Sequence, residues 1–399
     1  MNARRWGIAL AGIVLQIVLG SAYAWSVFRV PLSKQFHWSI AQVTLTFTIC
    51  IFALGVAAFF GGLWMKKVGP RTVAVTGALL YGVGTLLAGF SSNLTWLYAS
   101  YGIIGGIGLG FAYIVPIAVL VKWFPDKRGL MTGIAVGGFG AGALVVAPTA
   151  TALIKSSGVL STFLYLGIAY TIVGGIAAWF MQMPPAGWLP EGWTPKANIA
   201  ANGGNDYTLS QALGTWQFYV LWLILFLNTS AGISLISQEA PVFQELTKVT
   251  AAVAAGMVGI VSIGNALGRV FWASVSDAIS RRATFIVMFL FQVALFWFLP
   301  SITSSTVLTV IAFVILMCYG GGFGTMPAFA ADFYGSTNVG SIYGLMLTAW
   351  GCASAFGPLL VANMRQSSGS YTGGFHVLAV IVLVSTLLPI IVRKPAKRA

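Results

Sequence analysis

Arg269 lies alone in a hydrophobic run, 252–276, that is otherwise uncharged and long enough to form a membrane-spanning helix. An ionisable side chain at the centre of a bilayer costs about 2.5 kcal/mol or more, so it usually faces a polar cavity and a partner. No acidic residue lies within one helical turn of Arg269. Because a guanidinium binds a carboxylate through two parallel hydrogen bonds, we expect the partner to be the carboxylate of a bound molecule.

Two structural roles compete with this interpretation of Arg269: capping of helix carbonyls, or an ion pair with Asp277. Eight residues of helix separate the two side chains by about 12 Å, which is too far for a direct pair. Asn265 lies one turn before Arg269 on the same helix face. We expect Asn265 to orient the guanidinium, to donate to a hydroxyl of the bound molecule, or to form a hydrogen bond between helices.

Aromatic residues within the hydrophobic runs form the second group of candidates. A buried tyrosine hydroxyl needs a hydrogen-bond partner, although one such residue taken alone is more often a packing residue. Phenylalanine and tryptophan side chains are expected to provide apolar walls that suit a short side chain. The candidates are Tyr23, Tyr113, Tyr319 and Tyr343 as polar aromatics, and Phe139, Phe323 and Trp350 as walls.

Charged residues at the ends of two hydrophobic runs are candidates for a gate or a loop clamp. The alternative is a topology signal with interfacial salt bridges. The candidates are Asp277, Arg281 and Arg282, with Asp126, Lys127 and Arg128 as their counterpart earlier in the chain. Glu239 and Glu245, which follow another hydrophobic run, are expected to be solvated.

The composition is that of a membrane protein. Hydrophobic residues make up 58% of the 399 residues and charged residues only 7%, whereas soluble domains have about a quarter of their residues charged. Twelve apolar runs reach the length of about 20 residues that crosses a bilayer. These predicted spans 1 to 12 are 6–28, 41–65, 72–91, 94–121, 130–154, 158–182, 216–237, 250–276, 283–301, 304–330, 339–364 and 374–392. The sequence therefore predicts an all-α integral membrane protein.

The net charge of +14 is distributed unevenly between alternate loops. Of the 21 lysines and arginines, fifteen fall on one predicted side, five on the other, and Arg269 within a span. Because basic loops stay on the cytoplasmic side, we expect both termini to be cytoplasmic. The surplus charge then serves topology and attracts anionic lipid headgroups, and it does not indicate a nucleic-acid partner.

A polar stretch, 183–215, divides the spans into six and six. This layout predicts a first six-helix bundle at 1–182, a cytoplasmic central loop at 183–215 and a second six-helix bundle at 216–399. Pseudo-symmetric halves of this kind occur in many transporters, where the substrate binds between them near the bilayer midplane. A short repeat supports the division, since Gly-Leu-Met occurs at 129–131 and again at 344–346.

Enzyme chemistry, a metal and a cofactor find no support in the sequence. It has no His-Glu-x-x-His motif, no pair of catalytic carboxylates and no metal-ligand cluster. Cys50, Cys318 and Cys352 lie in apolar runs without paired spacing, so we expect packing residues and no disulfide framework.

Three motifs resemble the monocarboxylate transporter family of the major facilitator superfamily. They are Gly-Ser-Ala-Tyr-Ala-Trp-Ser-Val-Phe at 20–28, Trp-Phe-Pro-Asp-Lys-Arg-Gly-Leu-Met-Thr-Gly at 123–133, and Asn-Ala-Leu-Gly-Arg at 265–269. The proline-rich segment 184–193 and the glycine-rich segment 320–327 are more similar to the neighbouring oxalate–formate antiporter family. The resemblance covers the whole chain and implies twelve transmembrane helices in two six-helix bundles. It also implies that Tyr113 and Tyr319 line the substrate cavity.

The chain departs from both families at three positions that bear on specificity. A span-11 lysine that helps to hold a second carboxylate in the antiporter family corresponds to Trp350 here. The aspartate one turn before the span-8 arginine of animal monocarboxylate carriers, which is linked to proton handling, corresponds to Asn265. Their span-1 lysine corresponds to Val27. A single cation in the site suits a single carboxylate.

These observations together predict a secondary transporter of a small monocarboxylate such as L-lactate or pyruvate. We expect proton-coupled symport by alternating access around Arg269, in a chain that works as a monomer in a bacterial inner membrane. One alternative is an anion exchanger of the oxalate–formate type. An alternative from another class is a membrane-embedded carboxylate sensor or receptor, which binds its ligand but moves none.

Overall fold

The computed structural model describes residues 2–124, 128–185, 188–190, 207–335 and 338–395, and within these ranges all regular structure is helical. Twelve helical segments of the described chain are long and apolar enough to cross a membrane. Spans 1 to 12, as the structure defines them, are Arg4–Ala24, Ile40–Met65, Pro70–Ala88, Leu94–Leu120, Gly133–Ser157, Val159–Trp179, Trp216–Ile236, Ala251–Ile279, Arg281–Ser301, Ser305–Tyr334, Ser341–Ser368 and Thr372–Ile391. The predicted fold class and the number of spans are confirmed.

Several spans are made of more than one helix. Span 1 contains an α-helix and a 3₁₀ turn and continues as a further helix, with bounds Asn2–Gly20, Ser21–Ala24 and Ser26–Phe36. Span 4 has a π-helical middle, with bounds Leu94–Leu97, Tyr98–Gly105 and Gly106–Trp123. Spans 5 and 11 are each broken once, with bounds Arg128–Gly140 and Gly142–Ser157 for span 5, and Val339–Met346 and Thr348–Ser368 for span 11. Two short helices, Leu209–Leu213 and Glu239–Thr247, lie outside the spans.

The bend in span 1 occurs where it crosses span 5 at backbone distance. A Cβ atom added at Gly20 would overlap the carbonyl group of Phe139, so only glycine permits this approach. Small residues allow such close helix packing in lipid, where the hydrophobic effect does not drive helices together. The crossing brings Tyr23, which follows the bend, close to Phe139.

Spans 8 and 10 are joined in the same way in the second half. A Cβ at Gly320 would overlap the carbonyl oxygen of Asn265, and one at Gly324 would overlap that of Arg269. Gly268 in turn lies against the carbonyl oxygen of Met317. The backbone that carries Asn265 and Arg269 is therefore fixed against span 10.

The two halves meet along two seams, span 2 against span 11 and span 5 against span 8. In the first seam, the Thr48 hydroxyl donates to the Ser354 carbonyl oxygen over 2.8 Å, and the Ser354 hydroxyl donates to the Thr48 carbonyl oxygen over 3.0 Å. Much of the predicted central loop, 186–187 and 191–206, lies outside the described residues, so the proposed domain boundaries stay a prediction.

Candidate carboxylate site

Arg269 is 1% exposed, and none of its three guanidinium nitrogens forms a well-aligned hydrogen bond to a described residue. The Tyr113 hydroxyl is a polar group that lies close to the guanidinium. The competing pair with Asp277 is not formed: Asp277 lies 2.5 Å from Arg281 instead, with 69% of its side chain exposed. A buried guanidinium without a well-aligned acceptor is costly, so the arrangement fits a residue whose partner is a bound anion.

The ring of Phe323 lies next to this guanidinium, with 4.9 Å from the Arg269 Cζ atom to the ring centroid. A cation over an aromatic face gains about 2 kcal/mol when both are desolvated. The ring stabilises the charge but accepts no conventional hydrogen bond from the N–H groups. Those donors remain available to an anion.

Asn265 is fully buried, and neither its side-chain nitrogen nor its side-chain oxygen has a partner in the described part of the chain. Of the three roles expected from the sequence, the hydrogen bond between helices is therefore not formed. One amide and one guanidinium, a helical turn apart, therefore present donors and an acceptor that form no well-aligned hydrogen bond within the described ranges.

Six of the seven aromatic candidates form one cluster, which contains side chains from both halves. The Trp350 ring is at its centre, with centroid distances of 5.0 Å to Phe323, 5.4 Å to Tyr113, 5.6 Å to Phe139 and 6.4 Å to Tyr23. The sixth ring, Tyr319, lies 5.3 Å from Phe323. Trp350 is fully buried, and its indole nitrogen has no hydrogen-bond partner among the described residues.

A hydrogen bond between two tyrosine hydroxyls joins the halves inside this cluster. The Tyr23 and Tyr319 oxygens are 2.6 Å apart, and either can be the donor. The seventh candidate, Tyr343, is only partly buried, and within the described ranges it has no ring contact with the other six. Tyr343 nevertheless lies close enough to Tyr113 and Arg269 to interact electrostatically with both, so its place at the site stays a prediction.

The predicted gate residues of the second half form a local clamp. Arg281 pairs with Asp277 and also with Asp332, at 3.2 Å, while Arg282 donates to the Val392 carbonyl oxygen over 3.4 Å. All of these partners lie in spans 8 to 12 or directly after them, so the contacts stay within one half. Asp332 is not among the residues predicted for this clamp, and it lies beside Arg281 because spans 8 and 10 are adjacent.

The first-half counterpart of this clamp falls largely outside the described chain. Asp126 and Lys127 are not among the described residues, and Arg128 begins the helix Arg128–Gly140 without a described side chain. Their proposed gating role stays a prediction.

The structure adds a polar cluster at the opposite end of the molecule, which we call the Arg29 end. Arg29 is 3% exposed and donates to the Gln238 side-chain oxygen and, over 2.6 Å, to the Tyr371 hydroxyl. The Gln238 amide donates to the Thr44 hydroxyl over 3.2 Å. From the sequence, Arg29 is expected only as a topology charge, whereas its burial results from contacts with residues more than 200 positions away.

The expectation that Glu239 and Glu245 are solvated is wrong. Glu239 is 2% exposed, and its Oε1 atom has no hydrogen-bond partner among the described residues. This burial raises the pKa of Glu239 well above its ordinary value. Glu245 is partly buried and forms an ion pair with Arg365 at 2.8 Å. The short helix Glu239–Thr247, which was not predicted, turns both side chains towards the protein.

Twelve membrane-crossing helices around a buried, cationic and aromatic site define a multi-pass integral membrane protein. A family model described as Major Facilitator Superfamily matches residues 10–358 and 249–399. The chain belongs to this superfamily. It is a transporter and not an enzyme, in agreement with the sequence analysis, and the family assignment favours transport over a sensor role.

Relatives of known sequence are similar over nearly the whole chain. The oxalate:formate antiporter of Oxalobacter formigenes is 28% identical over 390 residues, which cover 96% of this chain and 90% of that protein. The uncharacterized MFS-type transporter YhjX of Escherichia coli is 28% identical, covering 88% of this chain and 86% of that protein. Monocarboxylate transporter 2 of Mus musculus is 24% identical, covering 92% and 80%.

A solved structure with the same fold is that of a bacterial homologue of the human lysosomal transporter Spinster. The TM-score is 0.76 at 15% identity, with 98% of this chain and 97% of that chain covered. The superfamily fold is confirmed by this likeness.

Proposed function

We propose that this protein is a secondary transporter of small monocarboxylates, with L-lactate or pyruvate as substrate, and that it works by proton-coupled symport. The observation that carries the proposal is the buried guanidinium of Arg269, which forms no well-aligned hydrogen bond to a described residue. Carboxylate transport is also what the names of several relatives indicate.

The substrate class follows from the charge and shape of the site. Arg269 provides one cation, and Trp350 occupies the position where the antiporter family has a second. One carboxylate therefore balances the charge, whereas a dicarboxylate leaves a buried negative charge, which is costly. The aromatic cluster, with Trp350 at its centre, suits a short apolar substituent next to that carboxylate.

The site also suggests how substrate binding promotes alternating access. The empty site holds an unbalanced charge in surroundings of low dielectric constant, where electrostatic interactions are strong. A bound anion neutralises that charge and lowers the free energy of the closed conformation relative to the open ones. A ligand shifts a conformational equilibrium only by such differential affinity. The two halves then rock about the site.

The energetics of the membrane favour co-transport of a proton in net uptake. Moving one anion inward against an inside-negative potential costs about 2.3 kcal/mol per 100 mV. A proton moved together with the anion cancels this cost. We therefore propose one proton per monocarboxylate.

The orientation follows from the basic loops. We propose that both termini are cytoplasmic, so that the Arg29 end faces outward and the Arg281 end inward, in a bacterial inner membrane. The protein is proposed to work as a monomer, because each chain contains a complete site.

The test uses purified protein in liposomes with labelled L-lactate, pyruvate, formate and oxalate. A pH gradient and a potential are imposed separately. Symport predicts L-lactate uptake that is driven by an acidic outside and does not require an anion inside. Uptake that is unchanged by the pH gradient and by the membrane potential, and that depends on an internal anion, contradicts symport.

A second candidate function is favoured by one observation, the similarity to the oxalate:formate antiporter along 96% of the chain. An exchanger of this type predicts strong competition by oxalate and formate-dependent counterflow without net proton movement. Both quantities are measured in the same liposomes, and competition by oxalate separates the two candidates.

A further inference from the structure

Arg29 is a second buried guanidinium without an acidic partner in the described part of the chain. Its two terminal nitrogens donate to neutral groups, Gln238 and Tyr371, and its Nε atom has no acceptor. Hydrogen bonds to neutral groups leave the charge itself only partly compensated, because the nearby Glu245 carboxylate is paired with Arg365, and a buried charge without its own counter-charge is destabilising. The same reasoning that assigns an anion to Arg269 therefore applies to Arg29.

A cavity of about 370 Å³ lies next to Arg29, within the range of about 300–1,000 Å³ that is typical of ligand pockets. We call it the outer vestibule, and its polar lining consists of Arg29, Ser33, Lys34, Gln244, Glu245 and Arg365. Three of these residues are cationic and one is acidic. Since Glu245 is paired with Arg365, Arg29 and Lys34 carry the excess positive charge.

The vestibule lies on the boundary between the two halves. Arg29 and Lys34 belong to the helix Ser26–Phe36, which continues span 1, while Glu245 and Arg365 come from the second half. The hydrogen bonds from Arg29 to Gln238 and Tyr371 cross this boundary and help to close the outward end. A molecule bound to Arg29 is therefore in competition with groups that hold the halves together.

We propose that the outer vestibule is an entry site for small carboxylates, in which Arg29 and Lys34 bind the anion before it reaches Arg269. The inference rests on the proposed function and on the outward orientation of this end. The carboxylate accepts hydrogen bonds from the free Nε of Arg29 and from a terminal nitrogen that Gln238 or Tyr371 releases. Entry of the anion thereby loosens the closed outward end. The positive vestibule also accelerates encounter with anions, an effect that salt screens.

The first experiment measures binding without transport. Equilibrium dialysis of labelled L-lactate is carried out on purified Arg269→Gln protein, in which the central site is removed. We expect one saturable site to remain, and its affinity to fall at least tenfold when Arg29→Gln is added. Complete loss of saturable binding in folded Arg269→Gln protein overturns the proposal. So does binding that is unchanged in the double variant.

The second experiment measures uptake by intact cells, which present the outward end to the medium. Arg29→Gln is expected to raise the KM for external L-lactate about tenfold, and Arg29→Lys to give an intermediate value. The matched control is Lys155→Gln, which removes an exposed charge on the same side but outside the vestibule. An equal rise of KM in the control and in Arg29→Gln overturns the proposal.

Tyr371→Phe provides a test that does not depend on the folding of Arg29→Gln. It deletes one hydroxyl, keeps the ring against Phe375, and frees a terminal nitrogen of Arg29. In the Arg269→Gln background we expect tighter L-lactate binding, and unchanged or weaker binding overturns the entry site. If wild-type protein moves no L-lactate while Arg269→Gln still binds it through Arg29, the proposed function fails and the entry site stands.

Discussion

Replacement of Arg269 by alanine removes the donors that we assign to the substrate carboxylate, and it tests the central site most directly. The side chain is 1% exposed and has no well-aligned acceptor in the described part of the chain. The substitution therefore breaks no well-aligned hydrogen bond of the described structure, although it removes the contacts of the guanidinium with the Tyr113 hydroxyl and the Phe323 ring. It also relieves the cost of burying an uncompensated charge, so we expect the purified variant to remain folded.

The magnitude follows from the hydrogen bonds that a bound carboxylate would make. Each hydrogen bond to a charged group contributes about 1.5–3 kcal/mol, and a bidentate pair contains two. Their loss costs about 3 kcal/mol at the lower limit. Since about 1.4 kcal/mol corresponds to a factor of ten, substrate affinity falls by at least about a hundredfold. Arg269→Lys keeps the charge but loses the planar guanidinium that forms two parallel hydrogen bonds with a carboxylate. We therefore expect a smaller loss of substrate affinity, about tenfold.

The assay is uptake of labelled L-lactate into liposomes, together with the melting temperature of the same preparations. Val270→Ala is the matched control, because Val270 is the next residue in the helix and is 42% exposed. We expect normal uptake in this control. Saturable uptake by Arg269→Ala within tenfold of wild type, from protein with an unchanged melting temperature, would refute the reasoning.

Three further predictions concern the surroundings of this site. Trp350→Lys adds a second cation, so oxalate should compete more strongly with L-lactate, and unchanged oxalate inhibition in the uptake assay counts against a one-cation site. Tyr23→Phe and Tyr319→Phe each remove the same 2.6 Å hydrogen bond, so a double-mutant cycle on the free energy of unfolding should give a coupling of about 1 kcal/mol, and additive losses of stability contradict it. Burial raises the pKa of Glu239 in the folded protein, so its stabilising contribution is complete below the unfolded pKa, about 4.3, and is lost as pH rises through the higher folded value. The melting temperature of Glu239→Gln should therefore fall less with increasing pH than that of wild type, and parallel profiles exclude this role for Glu239.

The number and approximate bounds of the spans could be predicted because a membrane-spanning helix is recognised from the hydrophobicity of its own residues. Each helix satisfies its own backbone groups, so a run of apolar residues is sufficient evidence. Arg269 could be singled out for the same reason, since a charge within such a run needs a special environment wherever its neighbours lie. The placement of Tyr113 and Tyr319 at the cavity was suggested by family resemblance and not by spacing.

The Arg29 end could not be predicted, because its contacts depend on tertiary structure. Arg29 follows the bend at Ser21–Ala24 and meets Gln238 and Tyr371 from the other half. A basic residue just beyond an apolar run is usually a topology signal. No neighbouring residue in the sequence distinguishes Arg29 from other basic residues at the ends of spans. Glu239 was misassigned for the same reason, since a glutamate near the end of a span is ordinarily solvated.

The glycine contacts between spans 8 and 10 have a consequence for the conformational cycle. Because their backbone atoms are already in contact, the two helices cannot slide past each other. We therefore expect spans 8 and 10 to move as one rigid body. Arg269 must then keep a constant distance to Phe323 while the protein opens to either side of the membrane. In the proposed alternating-access cycle, movement then occurs at the seams with the first half. The wall of the pocket that spans 8 and 10 form keeps its geometry from substrate binding to release.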